Sequence, residues 1–560
     1  MVIHTVATMH IERVKSKQGN KTYEQILLRE SYRVPGAKRS AVKKRTLLNL
    51  TKYPSQLVQA IELALKHQND LSALTSLKDL QLTQGPSVGG VFSLLQVARR
   101  CGIEAALGTG QNGKLALWQV IARVLDQGSR LSAVRLASTH AAAEILGFKR
   151  GFCEDQLYEN LTWLCQNQEA IEKRLFCQRR GEQQPQLFLY DVTSSYLEGD
   201  QNALADWGYN RDKKRGKKQI VIGLLCDEHG EPVSTEVFTG NTCDLETFGS
   251  QVTKAAERFG CERVTFVGDR GMIKSAQVED LAAVGFHYIT AITKPQIRAM
   301  LQKGILQLGL FDQRLCEVQH EGVRFVLRRN PVRAEEMAAS RARKLAALDR
   351  LADEQNRYLA EHPRADAFVA WKKVSEKESR LGLSGFVTVT AADRHIQVTV
   401  DTEYLAQMAE LDGCYALKTD LPTAVADTKT VHDRYKDLAM VESAFRTCKT
   451  SHLEVRPVFV RSEENTRGHV LVVMLSYILV RQLKQAWRDL DLTVKEGLAE
   501  LERISAMELS LNGTDAVLRL PAPSPVARNL LDALKVNLPI ALPKSKVLVD
   551  TKKKLVSERK

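Results

Sequence analysis

The sequence predicts a mixed α/β protein in which one α/β unit is flanked by helical regions. Between residues 185 and 300, strand-like and helical segments follow one another in the order β-β-β-α-β-α-β. Apolar residues at three- and four-residue spacing predict helices over 54–180, as in YPSQLVQAIELALK. The same spacing returns from about 427 to 505. These three observations predict that the chain has more than one domain.

Length and charge limit the class of protein. The chain has 560 residues, of which 44% are apolar and 26% charged, which excludes a mainly disordered, collagen-like or all-coiled-coil protein. At about 150 residues per domain, three or four domains are expected. The 80 Lys and Arg exceed the 66 Asp and Glu by a net charge of +14. Such an excess favours a polyanionic partner, either nucleic acid or an anionic membrane surface.

The apolar stretches and cysteines favour a reduced cytoplasmic protein. The longest apolar stretch, Val470 to Val480, has eleven residues, whereas a membrane helix needs about 20. We therefore expect a buried core helix there and no membrane partner. The first twenty residues have no apolar signal region. The ten cysteines form no C-x-x-C pair, so neither a zinc ribbon nor a redox motif is indicated.

The N-terminal residues 1–52 are basic and show alternating hydrophobicity. Gly19-Asn20 between two alternating runs predicts a β-hairpin. A basic cluster follows and is either a phosphate-contacting edge or a solvated charge run; it consists of Lys38, Arg39, Lys43, Lys44 and Arg45.

One motif in the helical region is a near match to a phosphate-binding loop. Gly108 to Lys114 fits the pattern G-x-x-x-x-G-K, but Leu115 stands where a Mg²⁺-binding hydroxyl is required. The preceding segment is also helical rather than a strand. We therefore expect a helix-loop-helix turn and no nucleotide cofactor.

Two aspartates end apolar strands of the α/β unit. Asp191 ends LFLYD and Asp269 ends VTFVGD. On neighbouring strands such carboxylates can converge, and with a third carboxylate they would form an oxygen-rich site suited to Mg²⁺ or Mn²⁺. The alternative is that each aspartate serves only its turn.

The third carboxylate is expected on a helix near residue 440. Tyr435, Glu442 and Lys449 are seven residues apart, so a helix brings them to within roughly 20° of one face per step. Arg446 lies at i+4 from Glu442. A plain surface helix with one Glu–Arg pair is the alternative.

Several sequence blocks in order resemble one family. They are YDVTSSYLEGD at 190–200, the segment 207–244, VGDRGMIKSAQVEDL at 267–281, and the run from Tyr435 to Lys449. Together they resemble insertion-sequence transposases of the DDE type, in the group that carries the Y-R-E-K signature. The resemblance extends over most of 185–490.

The resemblance implies a ribonuclease-H-like catalytic domain with a mixed five-stranded sheet and helices. Asp191, Asp269 and Glu442 would be the catalytic residues and the ligands of Mg²⁺ or Mn²⁺, with two ions in each active site. Tyr435 and Lys449 would contact DNA phosphates beside the scissile bond. The signature arginine position holds Leu438. Its charge would come from one of two neighbours, Arg434 or Arg446.

A basic loop near Asp191 is a second candidate DNA contact. Residues 211–218, RDKKRGKK, contain six basic residues: Arg211, Lys213, Lys214, Arg215, Lys217 and Lys218. We interpret them as phosphate contacts, with a merely solvated loop as the alternative. Core packing is the expected role of Trp371, with base stacking as the alternative. Hydrogen bonding within the fold is expected for His432, His452 and His469.

The resemblance implies an insertion inside the catalytic fold, since the 173 residues between Asp269 and Glu442 are too many for a bare ribonuclease-H-like fold. The expected parts are a DNA-contacting β-hairpin segment (1–52), an α-helical domain that binds DNA ends (53–182), the first catalytic part (183–300), a β-rich/α insertion with a charged helix (301–425), the last catalytic part with the Glu helix (426–505), and a C-terminal region with a basic tail (506–560).

The resulting hypothesis is a nucleoid-associated DNA transposase. It would bind the terminal inverted repeats of its own element, cleave with a divalent metal and join the ends to target DNA. Two ends and one target imply a homodimer on double-stranded DNA. The alternatives are a ribonuclease-H-like nuclease without strand transfer and a catalytically inactive DNA-binding regulator.

Overall fold

The computed structural model describes residues 8–18, 21–33, 42–67, 80–181, 183–199, 201–212, 214–312, 314–450, 453–457, 459–511 and 517–551. The chain divides into two compact units. Unit 1 comprises Met1–Gly85, Ser505–Pro521 and Pro539–Lys544, and unit 2 comprises Pro86–Ile504, Ala522–Leu538 and Ser545–Lys560.

Strands occur in both units. In chain order the described strands are β1 (Thr8–Gln18), β2 (Lys21–Arg33), β3 (Val42–Asn49), β4 (Leu80–Ser87), β5 (Leu187–Tyr196), β6 (Gln219–Asp227), β7 (Pro232–Phe238), β8 (Thr265–Gly268), β9 (His287–Ala291), β10 (Cys316–His320), β11 (Val323–Arg329), β12 (Val387–Ala392), β13 (His395–Val400), β14 (Cys414–Thr419), β15 (Ser505–Leu511), β16 (Val517–Arg519) and β17 (Ala541–Leu542).

Most of the α-helices lie in unit 2. The described helices are α1 (Ser55–Lys66), α2 (Gly89–Arg100), α3 (Ile103–Leu107), α4 (Gln111–Leu125), α5 (Arg130–Thr139), α6 (Ala142–Leu146), α7 (Glu154–Arg180), α8 (Asp244–Thr253), α9 (Ser275–Ala283), α10 (Lys294–Gln302), α11 (Pro331–Glu361), α12 (Ala367–Leu381), α13 (Thr402–Ala409), α14 (Thr428–Lys436), α15 (Leu438–Lys449), α16 (Glu463–Ala486), α17 (Val494–Glu502) and α18 (Pro525–Ala533).

Unit 1 contains the predicted hairpin. β1 and β2 pair antiparallel with Gln18 opposite Lys21, which confirms it, and β3 adds a third strand. Lys44 and Arg45 on β3 form ion pairs with Glu12 and Glu30. Lys38 and Arg39 lie outside the described residues. A second sheet has the order β17-β16-β15-β4, so the purely helical reading of 54–180 is wrong at β4.

The centre of unit 2 is an eight-stranded sheet with the order β10-β11-β14-β9-β8-β5-β6-β7. β5, β8 and β9 are parallel, and β6 and β7 add antiparallel to one side of β5. All five predicted strands are present, with the helices α8 and α9 between them as expected. The expected count of five is nevertheless wrong, because β14, β11 and β10 extend the sheet beyond β9.

Aromatic side chains fill one face of this sheet. Phe188 and Tyr190 on β5 are fully buried together with Phe248, Phe266 and Phe286. Ring centroids of Phe248 and Phe266 lie 5.4 Å apart in an edge-on arrangement, and those of Phe188 and Phe266 lie 5.6 Å apart. Such pairs add to the burial of apolar area. The strand that carries Asp191 is therefore held rigidly from one side.

The segment between β11 and β14 forms a separate hydrophobic cluster. The long helix α11 packs against α12 and the β12–β13 hairpin around Leu348, Val374 and Phe386. The segment between β11 and β14 is thus mainly helical, with β12 and β13 paired within it. The other strands of the expected β-rich insertion (301–425), β10, β11 and β14, pair with one another and belong to the central sheet. Trp371 packs against this cluster and its indole nitrogen donates to the carbonyl of Val389 at 2.9 Å, which confirms its expected packing role.

The apolar stretch from Val470 to Val480 is the expected core helix. It forms the middle of α16, and all of its residues are buried. Among the described residues, no helix has both the length and the apolar character that crossing a membrane requires.

The close packing of this core helix against α7 can be tested at Gly468. α16 contacts α7 so closely that a Cβ on Gly468 would lie 2.1 Å from the backbone oxygen of Leu161. We expect Gly468→Ala to lower the free energy of unfolding by about 1–3 kcal/mol, because the backbone of α7 or α16 must move to make room for the added methyl group. Gly249 in α8 is the control: its Cβ would meet nothing closer than 4.0 Å. Gly249→Ala should stabilise by roughly 0.5–1 kcal/mol, as measured by urea unfolding. Equal effects of the two substitutions would contradict the packing argument.

Candidate active site

Asp191 lies in the middle of β5. The strand continues to Tyr196 through the pairing of VTSSY with β6, so the expectation that Asp191 ends its strand is wrong. Its Oδ1 accepts a hydrogen bond from the backbone N–H of Val192 at 2.8 Å. Burial, and then the nearby Asp269 and Glu442 carboxylates, raise the pKa of Asp191 to about 7. Arg211 acts in the opposite direction.

Asp269 is the residue after β8, as expected. Because β5 and β8 are parallel neighbours and Tyr190 pairs with Gly268, Asp191 and Asp269 occupy corresponding positions on adjacent strands. Asp269 Oδ1 accepts from the backbone N–H of Arg270 at 2.7 Å. It also accepts the hydroxyl of Tyr435 at 3.2 Å.

Glu442 is supplied by α15, which packs against β5. It lines one cavity of about 710 Å³ together with Asp191 and Asp269. We call this the acidic cavity. The three carboxylates come from positions up to 251 residues apart in the chain, and the structure brings all three together.

The helix that was expected to carry Tyr435, Glu442 and Lys449 is two helices. α14 ends at Lys436 and α15 begins at Leu438, with Asp437 between them. Tyr435 and Glu442 still line the acidic cavity. Burial and the adjacent Asp269 raise the pKa of Tyr435, so its hydroxyl keeps its proton.

Lys449 does not line the acidic cavity. Its Nζ donates to Asp212 Oδ1 at 2.8 Å, which ties the end of α15 to the basic loop. Arg434 pairs with Asp437 at 3.5 Å, and Arg446 is exposed. Leu438 is buried, which accounts for an apolar residue at this position.

Two basic-loop residues are paired with carboxylates. Arg211 donates to both oxygens of Asp244, at 2.6 and 2.7 Å, and Lys217 Nζ lies 3.4 Å from Glu198. Arg211 is close enough to Asp191 to oppose the rise in its pKa. These residues therefore also position the loop.

The remaining loop residues are more available. Lys214 lies over the ring of Tyr196, 5.8 Å from its centroid. Arg215 is exposed and Lys218 is half-buried. Lys213 lies outside the described residues.

Four cations that the sequence analysis missed also line the acidic cavity: Arg270, Lys294, Arg333 and Lys436. Lys294 is 3.6 Å from Asp412, and Arg333 pairs with Glu336 at 2.8 Å. Position gave a signal for two of them, since Arg270 follows Asp269 and Lys436 follows Tyr435. One cavity thus presents carboxylates next to cations, a pattern that suits a metal-bound phosphate group.

The donor chemistry of the acidic cavity fits a hard divalent cation. Carboxylate oxygens are the ligands that Mg²⁺ and Mn²⁺ prefer. Burial and then the neighbouring carboxylates raise the pKa of Asp191, and a bound cation would relieve the repulsion among the carboxylates. As the side chains stand, no three His, Cys, Asp or Glu in the described part of the chain are close enough to hold a metal ion.

Two other sequence motifs have structural roles. Gly108 to Lys114 lies at the turn between α3 and α4, and Lys114 Nζ donates to the carbonyl of Gly147. This confirms the helix-loop-helix prediction. His432 is buried beside Arg328 and Tyr415, as expected for a hydrogen-bonded histidine. His452 lies outside the described residues.

In this mixed α/β domain, three carboxylates and several cationic side chains line one cavity. Metal-dependent phosphoryl-transfer enzymes use sites of this type. Residues 182–479 match the family described as Transposase DDE domain. Residues 11–76 match IS1634 family transposase, N-terminal domain. The first match covers more than half of the chain, so the chain belongs to the DDE transposases, and the insertion-sequence assignment is confirmed.

The chain resembles a solved structure entitled "Cryo-EM structure of piggyBac transposase synaptic complex with hairpin DNA (SNHP)", with 9% sequence identity and a TM-score of 0.35. The match covers 75% of this chain and 82% of that chain. A likeness at this score carries no argument about the fold. No curated protein matches the chain.

Asp191→Asn should reveal the repulsion between the carboxylates without any activity assay. In a metal-chelating buffer we expect the variant to melt at or above the wild-type temperature, because it removes a half-buried charge that lies close to two other carboxylates. Mg²⁺ should raise the melting temperature of the wild type and leave that of the variant unchanged.

Asp227 is the matched control for this prediction. It is a buried aspartate at the end of β6. Its Oδ1 accepts from the backbone N–H groups of His229 and Glu231, and its Oδ2 accepts from the Arg180 guanidinium. Asp227→Asn should lower the melting temperature and preserve the Mg²⁺ effect. A loss of stability in Asp191→Asn similar to that in Asp227→Asn would contradict the assignment.

Proposed function

We propose that this transposase binds the terminal inverted repeats of its own element, cleaves DNA at their ends and transfers the strands to target DNA. The observation that carries the proposal is the convergence of Asp191, Asp269 and Glu442 in one cavity within the family-matched segment. The order β9-β8-β5-β6-β7, with three parallel strands, supports a ribonuclease-H-like catalytic domain.

We assign Asp191, Asp269 and Glu442 as the catalytic carboxylates that hold two Mg²⁺ or Mn²⁺ ions. When bound, the ions would activate the attacking oxygen and neutralise the leaving oxygen. The carboxylates orient the ions and offset part of their charge. Tyr435 fixes Asp269 through its hydroxyl and can turn the same proton to a phosphate oxygen.

The cations of the acidic cavity give the DNA backbone a path. Arg270 and Lys436 are exposed, line the cavity and have no ion-pair partner among the residues that the structure describes. They can neutralise phosphates on either side of the scissile bond. The basic loop, with Lys214 and Arg215, continues this positive surface beyond β5.

The remaining parts of the proposal concern assembly. The N-terminal segment and the helical region before 183 would bind the element ends, and two copies would act together on double-stranded DNA. The match of 11–76 to a transposase N-terminal domain supports a role for this segment within the transposase. A basic net charge of +14 supports binding to nucleic acid.

Cleavage of a duplex that carries one element end tests the catalytic assignment. We expect Asp191→Asn, Asp269→Asn and Glu442→Gln each to reduce the cleavage rate by at least about 100-fold, since each removes charge that holds the metals. Asp280→Asn, an exposed α9 carboxylate away from the cavity, is the control. Variants that cut as fast as the wild type would refute the assignment.

The same assay separates the alternatives. Joined products in the presence of target DNA support strand transfer, whereas cleavage without joining supports the nuclease. Binding without cleavage under every metal condition supports the inactive regulator.

The salt dependence of DNA binding tests the cavity cations. Lys436→Gln should weaken binding to any duplex and make the slope of log affinity against log salt shallower by about 1. Lys429 on the same helix is the matched control, because it is paired with Asp433 and does not line the cavity. Lys429→Gln should change the slope less. If Lys436→Gln leaves the slope unchanged, Lys436 does not contact the DNA backbone.

A further inference from the structure

A second, smaller pocket lies where α4, α5 and α16 meet the segment that follows α15. Three arginines line it: Arg123, Arg130 and Arg456. The volume that the centre of a water-sized sphere can occupy in this pocket is about 20 Å³. This is more than the roughly 10–15 Å³ that one water requires.

Arg130 is a buried cation with few partners. Its side chain is 5% exposed, and its Nη2 donates to His469 Nδ1 at 3.2 Å. Its Nε has no hydrogen-bond partner, and among the described residues no carboxylate lies within ion-pair distance. Burial and the neighbouring Arg123 lower the pKa of Arg130 to about 9.

Arg123 is in a similar position. It is 5% exposed, and its Nη1 donates to the carbonyl of Gln127 at 2.6 Å. Within the part of the chain that is described, it forms no ion pair. Two guanidinium groups therefore share a buried space and use only a fraction of their N–H donors.

The carboxylate in the pocket does not balance these charges. Glu454 accepts from Nε of Arg456 at 2.5 Å and also from its Nη2, so its charge is taken by the third arginine. His469 donates its Nε2 proton to the carbonyl of Val455, and burial lowers its pKa far enough to keep it neutral. The nearby carboxylates of Asp126 and Glu454 act on Arg123 and oppose the fall in its pKa, so its charge is partly offset. Arg130 is the buried cation on which no nearby carboxylate acts among the described residues.

We propose that this pocket binds a phosphate group, held by Arg123 and Arg130. Buried charges in proteins are normally paired, and a tetrahedral oxyanion supplies both the missing charge and several acceptors for the unused N–H groups. The group is either free inorganic phosphate or a phosphate of DNA. This inference does not rest on the proposed catalytic function.

The site is separate from the acidic cavity. Arg456 connects the pocket to the end of β5 through the hydroxyl of Tyr196 and through Glu198 at 3.2 Å. Tyr196 is five residues from Asp191, or about 16 Å along the strand. An occupied pocket would thus anchor the catalytic strand at the end opposite the buried aromatic cluster.

Thermal unfolding of the full chain in sodium phosphate and in sodium chloride at equal ionic strength tests the site. Phosphate should raise the wild-type melting temperature by at least about 2 °C more than chloride does. This extra shift should disappear in Arg130→Gln and in Arg123→Gln. It should persist in Arg488→Gln, an exposed arginine paired with Asp489, and in Asp191→Asn.

The behaviour in chloride distinguishes a ligand site from a structural one. Because Arg130→Gln removes an unpaired buried charge, it should melt no lower than the wild type. A variant that melts several degrees lower would mark Arg130 as a structural cation and overturn the proposal. So would a wild type that phosphate stabilises no more than chloride, or arginine variants that keep the shift.

DNA binding identifies the source of the phosphate. If the ligand belongs to DNA, Arg130→Gln should weaken duplex binding about tenfold, and inorganic phosphate should compete with the duplex for the wild type. If Arg130→Gln binds DNA as well as the wild type does and still loses the phosphate shift, the ligand is the free ion. Either result supports the site. If Arg130→Gln keeps both the phosphate shift and normal DNA binding, the proposal is wrong.

Discussion

The parallel pairing of β5 with β8 is the constraint on which the site depends. It places Asp191 and Asp269 at corresponding positions on adjacent strands, where their charges repel. The aromatic layer beneath β5 prevents the strand from relaxing away. Helix α15, which packs against β5, adds Glu442 as a third carboxylate, and its charge increases the repulsion that acts on Asp191. The fold thus maintains an arrangement that is unfavourable without a cation, which is the usual condition of a metal-dependent site.

The distribution of positive charge follows two different rules. Around the acidic cavity, cations such as Arg211 and Lys449 are tied to Asp244 and Asp212, so they position the basic loop and α15 as well as attract DNA. In the small pocket, Arg123 and Arg130 are buried without such partners. An exposed cation costs little free energy because water solvates it, whereas a buried cation requires an anion to offset its charge. The overall excess of +14 conceals this difference.

Much of the fold could be predicted because its signals are local. Strands β5 to β9 and helices α8 and α9 are each marked by their own apolar pattern and turn residues, and the hairpin by Gly19-Asn20. β10, β11 and β14 lie within the expected β-rich insertion, but their place in the central sheet was not predicted. Their partners are distant in the chain, and periodicity carries no information on which strands pair. β4 was missed because its strand partners lie more than 400 residues away.

The sequence by itself determined which carboxylates are candidates and that the chain is basic. These properties depend on residue type and spacing alone. Only the tertiary structure decided that Glu442 lines the same cavity as the two aspartates and that Lys449 donates to Asp212. It also decided that Lys294 of α10 and Arg333 of α11 line that cavity. It also decided that Arg123 and Arg130 share one buried pocket. Burial and charge pairing arise between residues far apart in the chain, so only packing can fix them.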